Sequence, residues 1–557
     1  MSTWRRRDFL AAAGAGLTTW NARVFAGDYP PDAPPLRVRA LLEDGEIKLR
    51  RAGPKQFAGG GVTVEFEARD DALLVFIDAP GVALRSVTLA WNYAAQRRVL
   101  NDHWERTYGD VGWRKPDANL PMPWYFLSQT PNGCEAWGVR TGAATLCAWQ
   151  LAQEQRRLII DTTSGGVGVR LGKRRLLAAE IIRSPGGHLE SPSDALRLFT
   201  RRMCRRPRLP AQPVYGINDW YFAYGKNSDA LIRRHTELMA PFAQGLANRP
   251  FSVIDAGWFV GPEGAADDCC FGHDMATPNP RFRDMAALAR DIHKLGMRPG
   301  LWTRPLCGDA TTPLVRRLPR IPSRADLGRP ILDPTIPENV ARIEQYFETY
   351  RRWGFDLVKI DFTTFDILGK WGFEMIRDRE LTPRGWRLHD SSRTNAEIIG
   401  DLYATMRRAA GDMLLIGCNT ISHLSAGVFE INRIGDDTSG KEWDRTRKMG
   451  VNTLAFRGAH HGHFYAADAD CVGLTKLVPW DKNRQWMELV AKSGTPLFIS
   501  AQPDAVGAEQ KVAIRDAFAL ASRERPLGQP LDWMETQWPR NWKFGDETKV
   551  FDWSPAP

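Results

Sequence analysis

From residue 36 to about 205 the chain alternates apolar and polar positions with period two. The runs Val62 to Glu67, Leu73 to Asp78, Leu158 to Asp161 and Glu180 to Arg183 are short and apolar on one face, and Gly, Pro and Asp turns separate them. Successive strand side chains point to opposite faces, so many short strands at this spacing predict a β-sandwich. After Pro207-Arg208-Leu209-Pro210 the pattern changes. Apolar strands now alternate with amphipathic helices, the grammar of a parallel sheet. The predicted strands are Val214 to Trp220, Phe251 to Gly257, Arg298 to Trp302, Leu357 to Asp361, Met413 to Cys418, Glu430 to Ile434, Asn452 to Phe456 and Thr495 to Ser500. Eight such units between 211 and 505 predict an α/β fold, a (β/α)8 TIM barrel preceded by the sandwich. Thr335-x-x-Glu338 reads as a capping box, followed by the apolar stripe Val340, Ile343, Phe347 and Tyr350, with Gly354 as the stop. Too few residues separate the fifth and sixth strands for a crossover helix, so that link is expected to be a bare loop. The segment 523–557, rich in Trp and Pro, is expected to add a short C-terminal β element.

The N-terminus departs from both patterns. Arg5-Arg6-Arg7-Asp8-Phe9-Leu10 leads into the mildly apolar run Ala11 to Leu17, and Val24-Phe25-Ala26 offers a small-residue cleavage site. These features predict a twin-arginine signal peptide over 1–26, hence a periplasmic or secreted protein. The apolar run is too short for an ordinary membrane span. Eight cysteines lack the spacing of a zinc site, and free thiols are the expectation because the twin-arginine route carries proteins already folded in a reducing compartment. The formal net charge is +10, but the arginines fall in scattered pairs and not in a basic patch interleaved with aromatics, which argues against nucleic acid as a partner. Twenty-one tryptophans tilt the reading towards carbohydrate, since an indole offers an apolar face to sugar C–H groups and an N–H to hydroxyls.

Active sites of TIM barrels lie at the C-terminal ends of the strands. Those ends carry Asn218-Asp219-Trp220-Tyr221, Asp255-Ala256-Gly257-Trp258, Trp302-Thr303-Arg304, Lys359-Ile360-Asp361-Phe362, Cys418-Asn419-Thr420 and Arg433-Ile434-Gly435-Asp436-Asp437. Carboxylates, tryptophans and cations converging on one mouth are what glycosidic hydrolysis needs: one carboxylate at the anomeric centre, a second to protonate the leaving oxygen, and aromatic walls. Lys359 and Asp361, two apart on one strand, share a face. Asp436 and Asp437 are adjacent, so a strand would turn only one of them towards Asp361. There is no G-x-G-x-x-G after a strand and no H-E-x-x-H, so no cofactor and no metal are implied; His460-His461-Gly462-His463 lacks an acidic partner at ligand spacing.

From Val214 to about Leu497 the chain resembles the barrel of glycoside hydrolase clan D, closest to the family 36 α-galactosidases. The resemblance rests on Val253-Ile-Asp-Ala-Gly-Trp258, Met297-Arg-Pro-Gly-Leu-Trp302, Ile331-Leu-Asp-Pro-Thr335, Val358-Lys-Ile-Asp-Phe362, Leu415-Ile-Gly-Cys418, Arg433-Ile-Gly-Asp-Asp-Thr438 and Asp468-Ala-Asp-Cys471, in that order. It implies Asp361 as nucleophile and Asp437 as general acid/base, with Asp436 as the second choice. It places Trp220, Asp255, Trp302, Lys359, Cys418, Arg433 and Asp436 at sugar-contacting positions. Galactose-specific relatives carry two consecutive Asp in the second strand, where this chain has Asp255-Ala256. The expectation is a retaining exo-α-glycosidase acting on a carbohydrate substrate, α-galactosidase by default. The alternatives are a non-catalytic sugar-binding protein and a transglycosylase like raffinose synthase.

Overall fold

The alternating segments do pair as antiparallel strands in this computed structural model, which describes residues 34–93, 98–130, 133–152, 154–185, 191–261, 274–309, 311–321 and 330–556. The twin-arginine segment and Cys269-Cys270 lie outside the described residues. Between Arg37 and Ser184 the strands join in a continuous 13-stranded antiparallel sheet whose two wings face each other. The strand Glu46–Gly53 pairs with Arg37–Leu42 on one side and Gln56–Gly59 on the other, so it carries the sheet from one wing to the next. Residues alternate in burial along Val62–Arg69 as period two requires, with Val62, Val64 and Phe66 inside. Trp91, Trp137 and Trp149 pack against one another between the wings, with centroid separations of 5.9–6.4 Å.

The helix Pro192–Met203 leaves the sandwich and leads to the barrel. Parallel strands run in the order Tyr215–Asn218, Phe251–Ile254, Arg298–Thr303, Leu357–Ile360, Leu414–Gly417, Ile431–Arg433 and Ala466–Asp468, each paired with the one before it. Cys471–Leu474 then pairs with Leu497–Ala501, which pairs back to Tyr215–Asn218. Ala466–Asp468 and Cys471–Leu474 are one strand interrupted at Asp470, which takes φ 73°, so the nine segments close a ring of eight. Val214, Phe251, Val253, Leu357, Ile416, Ile431 and Phe498 fill the interior as a core of their own.

Three expectations are corrected. Asn452 to Phe456 is not the seventh strand: Thr453–Arg457 is helical, and the Asn452 amide donates to the carbonyls of Val111 and Gln537. A short apolar run carries no periodicity to separate helix from strand, and the true strand, Ala-Ala-Asp followed by Cys471–Leu474, was concealed by its own acids. The capping box is absent. The helix Pro337–Trp353 begins after Ile336, and the Thr335 hydroxyl bonds to Asp333 at 2.6 Å instead. Proline at the first helical position supplies the start, and Gly354 ends the helix at φ 88° as expected. The link between the fifth and sixth strands holds one helical turn, Ser422–Ser425. The C-terminal segment forms a three-stranded antiparallel sheet from Gln529–Pro530, Asn541–Phe544 and Glu547–Val550. No helix among the described residues is long and apolar enough to cross a membrane.

Candidate active site

The mouth of the barrel opens into a cavity of about 360 Å³ lined by Trp220, Asp255, Ala256, Trp302, Lys359, Asp361, Phe362, Asp436 and Asp437, together with Arg106, Tyr108, Trp371, Phe373 and Arg445. The strands place the first group. Asp361 follows Leu357–Ile360, and its two oxygens each receive one neutral donor: Trp302 Nε1 at 3.1 Å on Oδ2 and the Phe362 amide at 2.8 Å on Oδ1. The second contact needs the chain to turn sharply. Phe362 takes φ 62°, a left-handed conformation that costs a bulky L-residue free energy and is found where function demands it. Beneath it the fully buried pair Arg304–Asp366, 2.6 Å apart, supports the Phe362 ring, with the guanidinium 4.1 Å from its centroid.

Asp255 is the anchor of the opposite wall. Its Oδ2 accepts from Lys359 Nζ at 2.8 Å and from Asn218 Nδ2 at 2.7 Å, and its Oδ1 accepts from the Ala256 amide at 2.9 Å. Burial acts to lower the Lys359 pKa, but Asp255, Cys418 and Asp361 together outweigh it and the ammonium titrates well above its usual range. Asp219 sits behind, accepting from the Asp255 amide at 2.7 Å; burial, reinforced by the charge of Asp255, pushes it up to about 7.

Asp436 and Asp437 both line the cavity. The expectation that only one could do so assumed a strand, whereas the sixth strand ends at Arg433 and the pair lies in the loop beyond. Their environments differ. Both oxygens of Asp436 are gripped, Oδ1 by Arg106 at 2.9 Å and Oδ2 by Arg445 at 2.8 Å, and its side chain is 13% exposed. Asp437 is 35% exposed, and its ion pairs, to Arg433 at 3.2 Å and Arg106 at 3.6 Å, both fall on Oδ1. Burial acts to raise the Asp437 pKa, but Arg433, Arg106 and Lys359 outweigh it and bring it down to about 2. Cys418 and Arg433 stand behind the cavity wall. Arg433 is buried, reaches Asp470 at 3.0 Å, and with Arg106 donates to Cys418 Sγ at 3.6 and 3.5 Å. Burial and the charge of Asp361 hold the Cys418 thiol well above its usual range.

The fold that carries this site is shared with known solved structures. An α-galactosidase from Thermus thermophilus, in complex with p-nitrophenyl α-D-galactopyranoside, superposes with a TM-score of 0.58 at 18% identity over 92% of this chain and 98% of that one. A family 36 α-galactosidase from Geobacillus stearothermophilus, in complex with raffinose, gives 0.61 at 13% identity over 91% and 79%. The galactosidase domain of an α-galactosidase–sucrose kinase gives 0.55 at 15% over 88% and 70%. The chain has the fold of the family 36 glycoside hydrolases. No protein-family model matches it, and no curated protein matches it in sequence.

Within that fold, five residues on the cavity wall escaped the sequence reading: Arg106, Tyr108, Trp371, Phe373 and Arg445. Trp371-Gly-Phe373 lies just past the fourth strand and was legible as an aromatic pair in a mouth loop. Arg106 and Tyr108 had no signal, because they come from the sandwich. Glu105–Thr107 docks on the loop just beyond the sixth strand: the Thr107 amide donates to the Ile434 carbonyl at 3.0 Å and the Asp436 amide to the Thr107 carbonyl at 2.8 Å. Arg457 fastens the graft, bonding the Glu105 and Ile434 carbonyls at 2.7 and 3.1 Å and pairing with Asp102 at 2.8 Å. The His460 ring of the histidine tract is buried between Tyr125 and Tyr465, and no group of three or more His, Cys, Asp or Glu able to hold a metal occurs among the described residues.

Proposed function

We propose that the protein is a retaining exo-α-glycosidase, with Asp361 as nucleophile and Asp437 as general acid/base. One observation carries the reading. Two carboxylates of different character open into one cavity, Asp361 oriented by two neutral N–H donors and Asp437 with Oδ2 clear of its ion pairs. Asp361 attacks the anomeric carbon as Asp437 delivers a proton to the departing glycosidic oxygen; Asp437 then takes a proton from the water that hydrolyses the glycosyl ester. Asp436, held on both oxygens by Arg106 and Arg445, has no free oxygen to turn to the leaving group and serves to orient Arg106. Lys359, Asp255 and Trp302 take the terminal sugar. The neighbours crystallised with α-galactosides make α-galactose the default sugar. Ala256 removes one carboxylate from the wall, which favours a sugar lacking the C6 hydroxyl, such as a β-L-arabinopyranoside, which has the ring hydroxyls and axial anomeric oxygen of an α-galactoside.

Assaying a panel of aryl α-glycosides, with NMR detection of the first-formed anomer, tests the whole reading. Release of the α-anomer is expected; a β-anomer means inversion, and no turnover of any member supports a sugar-binding protein instead. Product analysis at high acceptor concentration separates hydrolysis from transglycosylation. We place the activity in the periplasm or outside the cell on the strength of the Arg5-Arg6-Arg7 run. Changing Arg6 and Arg7 to Lys is expected to leave precursor in the cytoplasm, and undiminished export overturns that placement.

A further inference from the structure

Phe373 is a large apolar ring left 39% exposed at the rim of the cavity, yet it is held firmly. It is the second residue of the helix Gly372–Asp378, whose start is fixed by Glu374 accepting from the Trp371 amide at 2.9 Å and by Glu105 Oε1 accepting from the Gly372 amide at 2.7 Å. The same Glu105 oxygen accepts from the Tyr108 hydroxyl. A single buried carboxylate thus holds the barrel's Phe373 and the sandwich's Tyr108 together, and their rings meet edge to face, 4.9 Å between centroids at 72°. Burial pushes Glu105 up to about 7. His103 packs against Tyr108 with ring centroids 5.5 Å apart, and Trp371 stacks on Phe365 at 4.6 Å. These rings form a ledge fixed from behind with its front uncovered.

Depth orders the cavity. Asp255, Ala256 and Trp302 are buried at its inner end, whereas Phe373 and Arg445 are the open ones, Arg445 at 39% side-chain exposure. Asp436 and Asp437, with side chains 13% and 35% exposed, lie between. An exo-acting glycosidase takes the terminal sugar at the closed end and releases the leaving group towards solvent, with the acid at the bond between them.

We propose that Tyr108 and Phe373, with Arg445 beside them, form the subsite for the leaving group, and that its occupant is a pyranose ring. The aromatic ledge offers its faces to sugar C–H groups, and the Arg445 guanidinium offers donors to hydroxyls. A purely apolar aglycone would strip water from the Arg445 N–H groups not engaged with Asp436 and offer nothing in its place. The subsite rests on the glycosidase reading, and the test separates the two. Two substrates share one terminal sugar: α-galactosyl fluoride, whose leaving group has no ring to stack, and α-galactosyl-(1→6)-glucose. The measurement is the ratio of kcat/KM for the disaccharide to that for the fluoride. Phe373→Ala is expected to lower this ratio about tenfold, a loss the size of one good aromatic contact. Phe373→Tyr, which keeps the ring, is expected to restore it. An unchanged ratio in Phe373→Ala, or an equal fall in Phe373→Tyr, overturns the subsite while leaving the glycosidase reading intact. If the unsubstituted protein hydrolyses neither these two substrates nor the corresponding arabinopyranosides, the glycosidase reading itself fails and the subsite with it.

Discussion

Asp361 and Arg106 line the same cavity and are held there by different means. Asp361 ends a buried strand whose register with Arg298–Thr303 and Leu414–Gly417 fixes its height and direction. Arg106 sits on no strand of the barrel. It belongs to a sandwich segment grafted on the loop after the sixth strand through two backbone hydrogen bonds and the Arg457 clamp. The barrel half of the site is positioned by local periodicity and sheet closure, and the sandwich half by docking between residues more than three hundred positions apart. Damage to the barrel half should therefore remove chemistry and leave the fold, whereas damage to the sandwich half should shift geometry, protonation and stability together.

The largest effect is expected at Asp361. Asp361→Asn keeps the shape and one of the two accepted hydrogen bonds, its amide nitrogen being unable to accept the other, and cannot form the glycosyl ester, so aryl glycoside turnover should fall by about four orders of magnitude or more. The unfolding transition should move by no more than about 1 kcal/mol, the cost of one lost hydrogen bond, since the side chain is only half-buried. Wild-type-like activity in this variant removes the nucleophile from the barrel half.

Arg106→Met tests the other half. Arg106 helps to hold Asp437 at about 2, so removing its charge raises that pKa and makes the protonated acid available at higher pH. The kcat/KM profile should move upwards by about one pH unit, while its height drops about a hundredfold because Asp436 and Asp437 lose their shared brace. Kinetics across the acid range read both changes. A fallen but unshifted profile would mean that Arg106 only positions.

The same division explains what the sequence could tell. Lys359 and Asp361 were readable because a strand of period two sends positions two apart to one face. Most of the barrel strands announced themselves as apolar runs between Gly and Pro. The seventh did not, because its break at Asp470 splits it into two pieces too short to carry a pattern. The nearby apolar run Leu454-Ala455-Phe456 imitated a strand while packing as a helix. Nothing in Trp104-Glu105-Arg106-Thr107-Tyr108 marks it as part of an active site, because its role depends on which surface it docks against. The buried Asp102–Arg457 pair that secures it joins residues whose charges look unremarkable in isolation.

That pair gives a third way to separate the halves. Burial raises Asp102 to about 6 even beside Arg457, so the pair is a poor stabiliser in itself. Asp102→Ala nevertheless leaves the Arg457 guanidinium buried without a counter-charge, which should cost about 3 kcal/mol in denaturant unfolding. Activity measured where the variant remains folded should fall as the Glu105–Thr107 graft loosens. Loss of stability with full activity would mean that the graft holds without its clamp.

The smallest expected effect lies in the barrel half and concerns choice of sugar. Ala256 follows Asp255 on the cavity wall, where a carboxylate would accept charge-assisted hydrogen bonds from sugar hydroxyls, each worth about 1.5–3 kcal/mol. Its absence should make α-galactoside a mediocre substrate for the unsubstituted protein, and Ala256→Asp should raise kcat/KM for α-galactoside over β-L-arabinopyranoside about tenfold. The new carboxylate would join Asp219 and Asp255, with Lys359 nearby as counter-charge, so a modest loss of stability should accompany the gain. Because the change leaves Arg106, Tyr108 and the graft untouched, the pH profile should stay in place. Competition between the two aryl substrates in one reaction measures the preference directly. If α-galactoside is already the better substrate and Ala256→Asp brings no gain, recognition of that hydroxyl belongs to another part of the wall, with Asp436 and its two arginines as the next place to look.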